Sequence, residues 1–330
     1  MNLDKYLVKQ NIPEGLVEGI KCFAKLIIKT SKLIEEAPLN NQLGKLDQEN
    51  VQGEQQTILD VESNSIFVND LKKTDSIIGL VSEELEKPVY FDKKRTKNQY
   101  VVFFDPLDGS SNVSSNVSVG SIFSIYKINH DEPIEIKDFL QKGKNQIAAG
   151  FSVFGPSTIL ILTLGKGTFK FCFDKILNEF VCIQENILIN ENAEEFSINM
   201  SNKQFWSDSI NSYISDCQAG ESGPRGKNFN MRYIASLVSD INRILVRGGI
   251  FLYPLDKKNM KNGGRLRLMY EINPMAMIVE QCNGFCSDGL ERILDIVPKN
   301  IHQRTAVCIG AKNEVGIVKD YILRHKNLEI

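Results

Sequence analysis

The segment Phe104-Asp-Pro-Leu-Asp-Gly-Ser-Ser-Asn112 constrains this chain more than any other. It follows Tyr100–Phe104, an apolar run of strand type, so its two carboxylates arrive at the C-terminal end of a strand. Pro106 fixes its own φ and restricts Asp105, which predicts a rigid turn over Asp105–Asp108. Two carboxylates on such a turn can grip hard cations. Gly109, Ser110, Ser111 and Asn112 then offer N–H groups and hydroxyls suited to a phosphate at a helix start. A second predicted strand, Ile77–Val81, ends in Ser82-Glu83-Glu84. Acids at the ends of neighbouring strands converge on one sheet edge, where α/β proteins place their sites.

Clustered carboxylates need protons or cations to answer their charge. The chain has three histidines (His130, His302, His325) and seven scattered cysteines with no CxxC pair, so the ligand set is all oxygen. That selects Mg²⁺ or Mn²⁺ over Zn²⁺. Single acids usually cap turns or helices; two strands ending in acid pairs favour the cation site. From Ser222 to Tyr270 ten Lys/Arg face only Asp240 and Asp256, which suits a phosphate-bearing substrate. Lys257, Lys258 and Lys261 also read as the solvated face of a loop. Glu271, just after this stretch, is placed to reach back to the cations.

Composition removes other classes. With 330 residues, 42% hydrophobic and 24% charged, the chain reads as a globular protein of about two domains, divided as 1–190 with the acidic cluster and 191–330 with the basic residues. Lys+Arg 39 against Asp+Glu 41 gives no electrostatic case for nucleic acid. No apolar run reaches the roughly 18 residues of a membrane span, and Asp4, Lys5 and Lys9 interrupt any signal-peptide pattern. A soluble cytoplasmic protein with free thiols is expected.

Apolar spacing predicts helices over 16–34, 58–71, 231–246 and Pro274–Gln281, and strands over 119–127, 147–154, 158–164 and Ile250–Tyr253. The polar stretch 39–57 reads as a mobile surface loop. Interleaved strands and helices give an α/β (α+β) class with layered sheets.

Gly79-Leu-Val-Ser-Glu-Glu84, Phe104–Asn112, Arg265-Leu-Arg-Leu-Met-Tyr-Glu-Ile-Asn-Pro274 and Leu294-Asp-Ile-Val-Pro…Ile-His-Gln-Arg304 together resemble class I fructose-1,6-bisphosphatase, from about residue 16 onward. The Asp-Pro-x-Asp-Gly core alone would fit the wider inositol-monophosphatase-like superfamily; the second-half motifs separate the two. The resemblance implies a layered α/β/α/β/α sandwich of the sugar phosphatase type, usually a homotetramer. It implies a phosphoric monoester hydrolase of gluconeogenesis, converting fructose 1,6-bisphosphate to fructose 6-phosphate and phosphate with two or three Mg²⁺ (or Mn²⁺) per site.

Carried over by motif, Glu83, Asp105, the Leu107 carbonyl, Asp108 and Glu271 correspond to metal ligands, and Glu54 to a further ligand on a mobile loop. Asp60 and Glu84 correspond to the pair that orients and deprotonates the attacking water. Asp108, Gly109, Ser110 and Ser111 correspond to the scissile-phosphate site. Asn199, Tyr233 and Tyr253 match residues at the 6-phosphate, Arg265 stands beside the sugar, and Arg232 matches a residue that reaches in from a neighbouring subunit. Glu14–Ser31 lacks the family's Gly-Thr-Gly-Glu-type turn and Gln99–Tyr100 replaces its Lys-Tyr pair, so weak or absent AMP inhibition is expected. Sedoheptulose 1,7-bisphosphate is the rival substrate; inositol monophosphatase and a non-catalytic sugar-phosphate sensor are the more distant readings.

Overall fold

The computed structural model describes residues 1–49, 55–94 and 98–328. Helices α1 (Leu3–Lys9), α2 (Glu14–Glu36) and α3 (Ile58–Lys73) come first, with a ribbon of β1 (Lys45–Glu49) antiparallel to β2 (Gln55–Thr57) between the last two. Leu16, Ile20, Phe23 and Ile27 recur at helical spacing in α2 and are buried along one stripe. Thr57 and Asp60 close a reciprocal capping box that starts α3.

An 8-stranded sheet follows, built from β3 (Ile77–Ser82), β4 (Val89–Tyr90), β5 (Gln99–Asp108), β6 (Gly120–Ile128), β7 (Gln146–Phe154), β8 (Thr158–Thr163), β9 (Thr168–Asp174) and β10 (Glu179–Gln184). Its order is β10-β9-β8-β7-β6-β5-β3-β4, and the short α4 (Ile136–Phe139) lies between β6 and β7 in the chain. Only β3 and β5 run parallel within it, with Ser82 opposite Phe104. Alternation in β5 sends Tyr100, Val102 and Phe104 to one face, where they pack with α1–α3, and Val101 and Phe103 to the other. Phe23 of α2 stacks on Phe123 of β6 at 4.1 Å between centroids.

The second sheet is smaller. It contains β11 (Glu195–Ser197), β12 (Asn230–Met231), β13 (Ile250–Tyr253), β15 (Gly284–Ser287) and β17 (Val307–Ala311) in the order β12-β11-β13-β17-β15. Helices α6 (Leu237–Arg247) and α7 (Asn273–Glu280) fill the space between the two sheets. Helices α5 (Asp208–Gln218) and α8 (Lys312–Leu328) cover the second sheet's outer face. The layers therefore read α/β/α/β/α. A small ribbon, β14 (Leu266–Arg267) against β16 (Arg304–Thr305), completes the strands.

Three local expectations are corrected. Within the stretch 39–57, of which 50–54 lie outside the described residues, Lys45–Glu49 and Gln55–Thr57 pair as the β1–β2 ladder instead of forming an open loop; backbone pairing in a polar sequence leaves no apolar period to read. Asp105–Asp108 is not a free turn but the end of β5, bulged against β6 where Pro106 lacks an N–H. The helix expected from residue 231 starts at Leu237. The Asp240 carboxylate accepts from the Ile234 N–H and the Ser197 hydroxyl, holding 232–236 outside the helix. Gly248 ends that helix at φ 76°. All seven cysteines are free, and among the described residues no helix is long and apolar enough to cross a membrane.

Candidate active site

Because β3 and β5 are parallel neighbours, Glu83 follows directly beside Asp105; its N–H donates to the Phe104 carbonyl at 3.2 Å. Asp105 Oδ1 accepts from the Leu107 N–H at 2.9 Å, and the Ser121 hydroxyl holds the Pro106 carbonyl at 2.8 Å, so the bulge is pinned from both sides. Asp108 lies opposite Gly120, where a Cβ would sit 1.9 Å from the Ser152 carbonyl oxygen; only glycine allows that approach. The Val238 N–H in the first turn of α6 donates to Asp108 Oδ2 at 3.0 Å.

Glu271 arrives from the second half on a π-turn, Leu268–Ile272. One oxygen each from Asp105, Asp108 and Glu271 lies within 4.8 Å of the others, and all three residues are buried. Arg267, 5% exposed, sits among them: Nη2 is 2.7 Å from Glu83 Oε1 and Nη1 is 3.7 Å from Glu271 Oε2. Four carboxylates thus gather around one guanidinium. Burial is the main cause that raises Asp105 well above the usual carboxylate range, with Glu83 and Asp108 adding repulsion. Burial likewise pushes Asp108 up to about 7 and Glu271 up to about 8, partly offset by the Val238 N–H and by Arg267 respectively. Arg267 alone does not balance the four carboxylates, and a buried all-oxygen donor set fits a hard divalent cation.

Asp60 and Glu84 border the same cavity. Asp60 Oδ2 accepts from the Thr57 N–H and hydroxyl at 2.7 and 2.8 Å, and its side chain is also bonded by Ser110. Burial outweighs those bonds and raises it. Glu84 is pushed up to about 8, first by burial and then by Glu83, while Gln56 Nε2 donates to its Oε2 at 2.5 Å. Its N–H donates to the Ser82 hydroxyl, which in turn donates to Asn64 on α3. Both acids are fixed to the helix that packs on the sheet.

The cavity measures about 490 Å³. Leu107, Gly109, Ser110 and Ser111 form its floor beyond the acids, and Gly109 takes φ 77° as the chain enters a short 3-10 helix, Ser110–Ser115. Tyr233, Tyr253 and Arg265 form the far wall. Asn199 does not line the cavity but is hydrogen-bonded to the Tyr233 side chain, which Tyr253 and Arg265 also face. Arg232 is exposed, its Nη1 donating to the Met231 carbonyl at 3.3 Å, and it does not border the cavity. Glu54 lies outside the described residues; the adjoining Gln55 does border the cavity.

Much of the basic stretch serves packing instead. Arg225 pairs with the buried Glu314 at 2.8 Å, Arg243 and Arg247 pair with Glu195, and Lys227 Nζ donates to the Ala193 carbonyl. Sequence reasoning left Thr57, Gln56 and Ser236 out of the site. Thr57 carried a readable signal, the Thr-x-x-Asp capping pattern. Ser236 did not: it meets Gly109 only through the tertiary fold.

Comparison with known proteins extends over nearly the whole chain. A family profile described as "Fructose-1-6-bisphosphatase, N-terminal domain" matches residues 6–185, and the corresponding C-terminal domain profile matches residues 189–323. The protein named fructose-1,6-bisphosphatase class 1 from Methylacidiphilum infernorum is 43% identical over 327 residues, covering 97% of this chain and 91% of the relative. Its namesake from Methylobacillus flagellatus is 44% identical over 325 residues, covering 97% of each. The crystal structure of Leishmania major fructose-1,6-bisphosphatase in holo form superposes with a TM-score of 0.91 at 34% identity, covering 97% of this chain and 98% of that one; the apo form gives 0.85 at 32%, with the same coverage.

Proposed function

The chain belongs to the class 1 fructose-1,6-bisphosphatase family, and from that premise we propose that its cavity hydrolyses the 1-phosphate of fructose 1,6-bisphosphate to give fructose 6-phosphate and phosphate. One observation carries the reading: a cluster of four carboxylates around Arg267 opens into the same cavity as a backbone-and-hydroxyl cradle. Gluconeogenesis is the setting, and the cytoplasm the compartment.

We assign Glu83, Asp105, Asp108, Glu271 and the Leu107 carbonyl to two or three Mg²⁺, or Mn²⁺, with Glu54 a further ligand. Cations held by these residues would supply Lewis-acid chemistry: polarised phosphoryl oxygens, a water of lowered pKa and a stabilised leaving alkoxide. The protein's own groups do the rest. Ser110 and Ser111 hold the scissile phosphate with Asp108 and Gly109 beneath it. Glu84 is raised while no cation is bound; cations in the cluster would offset the repulsion from Glu83 and favour its carboxylate, which takes the proton from the attacking water, and Asp60 orients that water. Asn199, Tyr233 and Tyr253 hold the second phosphate and Arg265 stands beside the sugar, with Asn199 also bonded to the Tyr233 side chain. We further propose a homotetramer in which the exposed Arg232 completes a neighbour's site, a division into 1–190 and 191–330, and weak or absent AMP inhibition.

The test is phosphate release from fructose 1,6-bisphosphate, sedoheptulose 1,7-bisphosphate and inositol 1-phosphate, each with Mg²⁺, Mn²⁺ or EDTA. Turnover of the first substrate is expected, abolished by EDTA and by Asp108→Ala. Faster turnover of either other substrate would reassign the specificity; none at all, with fold and metal binding intact, would leave a sensor.

A further inference from the structure

Ile301-His302-Gln303-Arg304 stands out in the sequence, yet the roles assigned above leave His302 unused. The structure sets its ring between two of the segments that carry the acidic cluster. His302 Nε2 is 3.1 Å from the Glu86 carbonyl oxygen, in the turn that follows Glu83 and Glu84. Its Nδ1 is 2.9 Å from the Tyr270 hydroxyl, one residue before Glu271. A carbonyl can only accept, so Nε2 carries the proton, Nδ1 is the acceptor, and the Tyr270 O–H donates to it. Tyr270 is fully buried, and its ring meets the imidazole edge-on at 5.8 Å between centroids.

The neighbours of His302 tighten the same link. The Gln303 carbonyl accepts from the Leu268 N–H at 2.7 Å, at the first residue of the π-turn. Arg304 pairs with Arg267 in the β14–β16 ribbon. The strand through Arg304 therefore holds the segment bearing Arg267 and Glu271, and His302 ties that assembly to the turn bearing Glu83 and Glu84. Asp105 and Asp108 need no such tie, since β5 fixes them in the sheet. Glu271 comes from a different layer, so its spacing from Glu83 depends on cross-links of this kind. His302 itself borders a separate surface opening, not the reaction cavity.

We propose that His302 is a positioning residue: by bridging the Glu86 carbonyl and the Tyr270 hydroxyl it sets the spacing of Glu83–Glu84 from Glu271, and with it the affinity of the cluster for divalent cations. It touches neither substrate nor cation. The inference rests on the metal-binding reading given above. Groups that orient ligating side chains typically change metal affinity or activity by about 10- to 100-fold when removed.

The experiment measures Mn²⁺ binding directly, by titration calorimetry and by the spin-resonance signal of free Mn²⁺, without substrate. It uses the wild type, His302→Ala, His302→Gln and Tyr270→Phe, alongside metal-free thermal melts. In His302→Ala the Mn²⁺ affinity is expected to fall about 10- to 100-fold, with excess Mn²⁺ restoring kcat and leaving KM for fructose 1,6-bisphosphate unchanged. Tyr270→Phe weakens binding in the same direction, and combining it with His302→Ala adds little, because both remove one bridge. His302→Gln keeps a donor for the Glu86 carbonyl and recovers part of the affinity. Wild-type Mn²⁺ affinity in His302→Ala and Tyr270→Phe would overturn the proposal, as would losses that merely track a lower metal-free melting temperature. A wild type that binds no Mn²⁺ would overturn the metal-binding reading itself.

Discussion

Replacing Glu84 by glutamine should make the metal-free protein more stable at alkaline pH while disabling it as a catalyst. The Glu84 carboxyl is lifted from an ordinary 4.5 to about 8, chiefly by burial and then by Glu83. Between those values the folded chain carries a proton that the unfolded chain has released. Stability therefore declines as pH rises across that window, by about 1.4 kcal/mol per pH unit for a single group. The full interval amounts to about 5 kcal/mol; Glu84 is only half-buried, and screening by water reduces this to about 2–3 kcal/mol. Glutamine has the same shape and never ionises, so the difference between variant and wild type is near zero at pH 5 and reaches about 2–3 kcal/mol in the variant's favour by pH 8.5. For 330 residues the unfolding entropy is about 0.7 kcal/mol per kelvin, so the melting temperatures separate by about 3–4 °C.

Calorimetric melts in EDTA at intervals from pH 5 to 8.5 read this directly. Asp60, Asp105, Asp108 and Glu271 are also raised, so both proteins lose stability with pH; the informative quantity is the gap between them. With Mg²⁺ restored, kcat of the variant should be lower by about 10²–10⁴-fold, the usual contribution of a positioned base. A gap that stays constant with pH, or a variant that melts earlier at pH 8.5, would refute the assignment of Glu84 as a carboxyl held neutral by its surroundings in the metal-free protein.

Two further substitutions separate the wall of the cavity from the packing behind it. Arg265→Ala should raise KM for fructose 1,6-bisphosphate about tenfold or more, the value of one charge-assisted hydrogen bond, with kcat less affected; initial rates against substrate concentration check it, and an unchanged KM would remove Arg265 from the substrate wall. Arg225→Met should leave kinetics at low temperature intact and destabilise the fold by about 3–5 kcal/mol, because it strands the buried Glu314. A melt by calorimetry reads the loss, and a melting temperature equal to wild type would show that pair to be dispensable.

The acidic side of the site was legible because it is local. Each carboxylate pair is written within a few residues of an apolar run, and the parallel pairing of β3 with β5 brings the two runs to one edge. What the same residues concealed is geometry: an Asp-Pro-Leu-Asp segment reads as a turn from proline alone, whereas its partner strand β6 keeps it in the sheet as a bulge. The ribbon at Lys45–Glu49 was hidden for a related reason, since its sequence carries no alternating apolar pattern and only the backbone ladder reveals it.

The basic side was legible only as a count. Whether an arginine faces a phosphate or a carboxylate depends on partners far away in sequence: Glu314 is 89 residues from Arg225 and Glu195 is 48 from Arg243. Composition cannot see such pairings, so it overstated the cations available to substrate. Arg267, the one guanidinium among the described residues that enters the acidic cluster, does so because β14 pairs with β16 and the π-turn carries Glu271 back beside it. That placement has a physical consequence for the whole molecule. Burial, and then mutual repulsion that Arg267 only partly offsets, raises the proton affinities of Asp105, Asp108 and Glu271 together in the metal-free centre. Cations that relieve this repulsion stabilise the folded state by binding it, so added Mg²⁺ or Mn²⁺ should raise the melting temperature more at pH 8.5, where the carboxylates are ionised, than at pH 6.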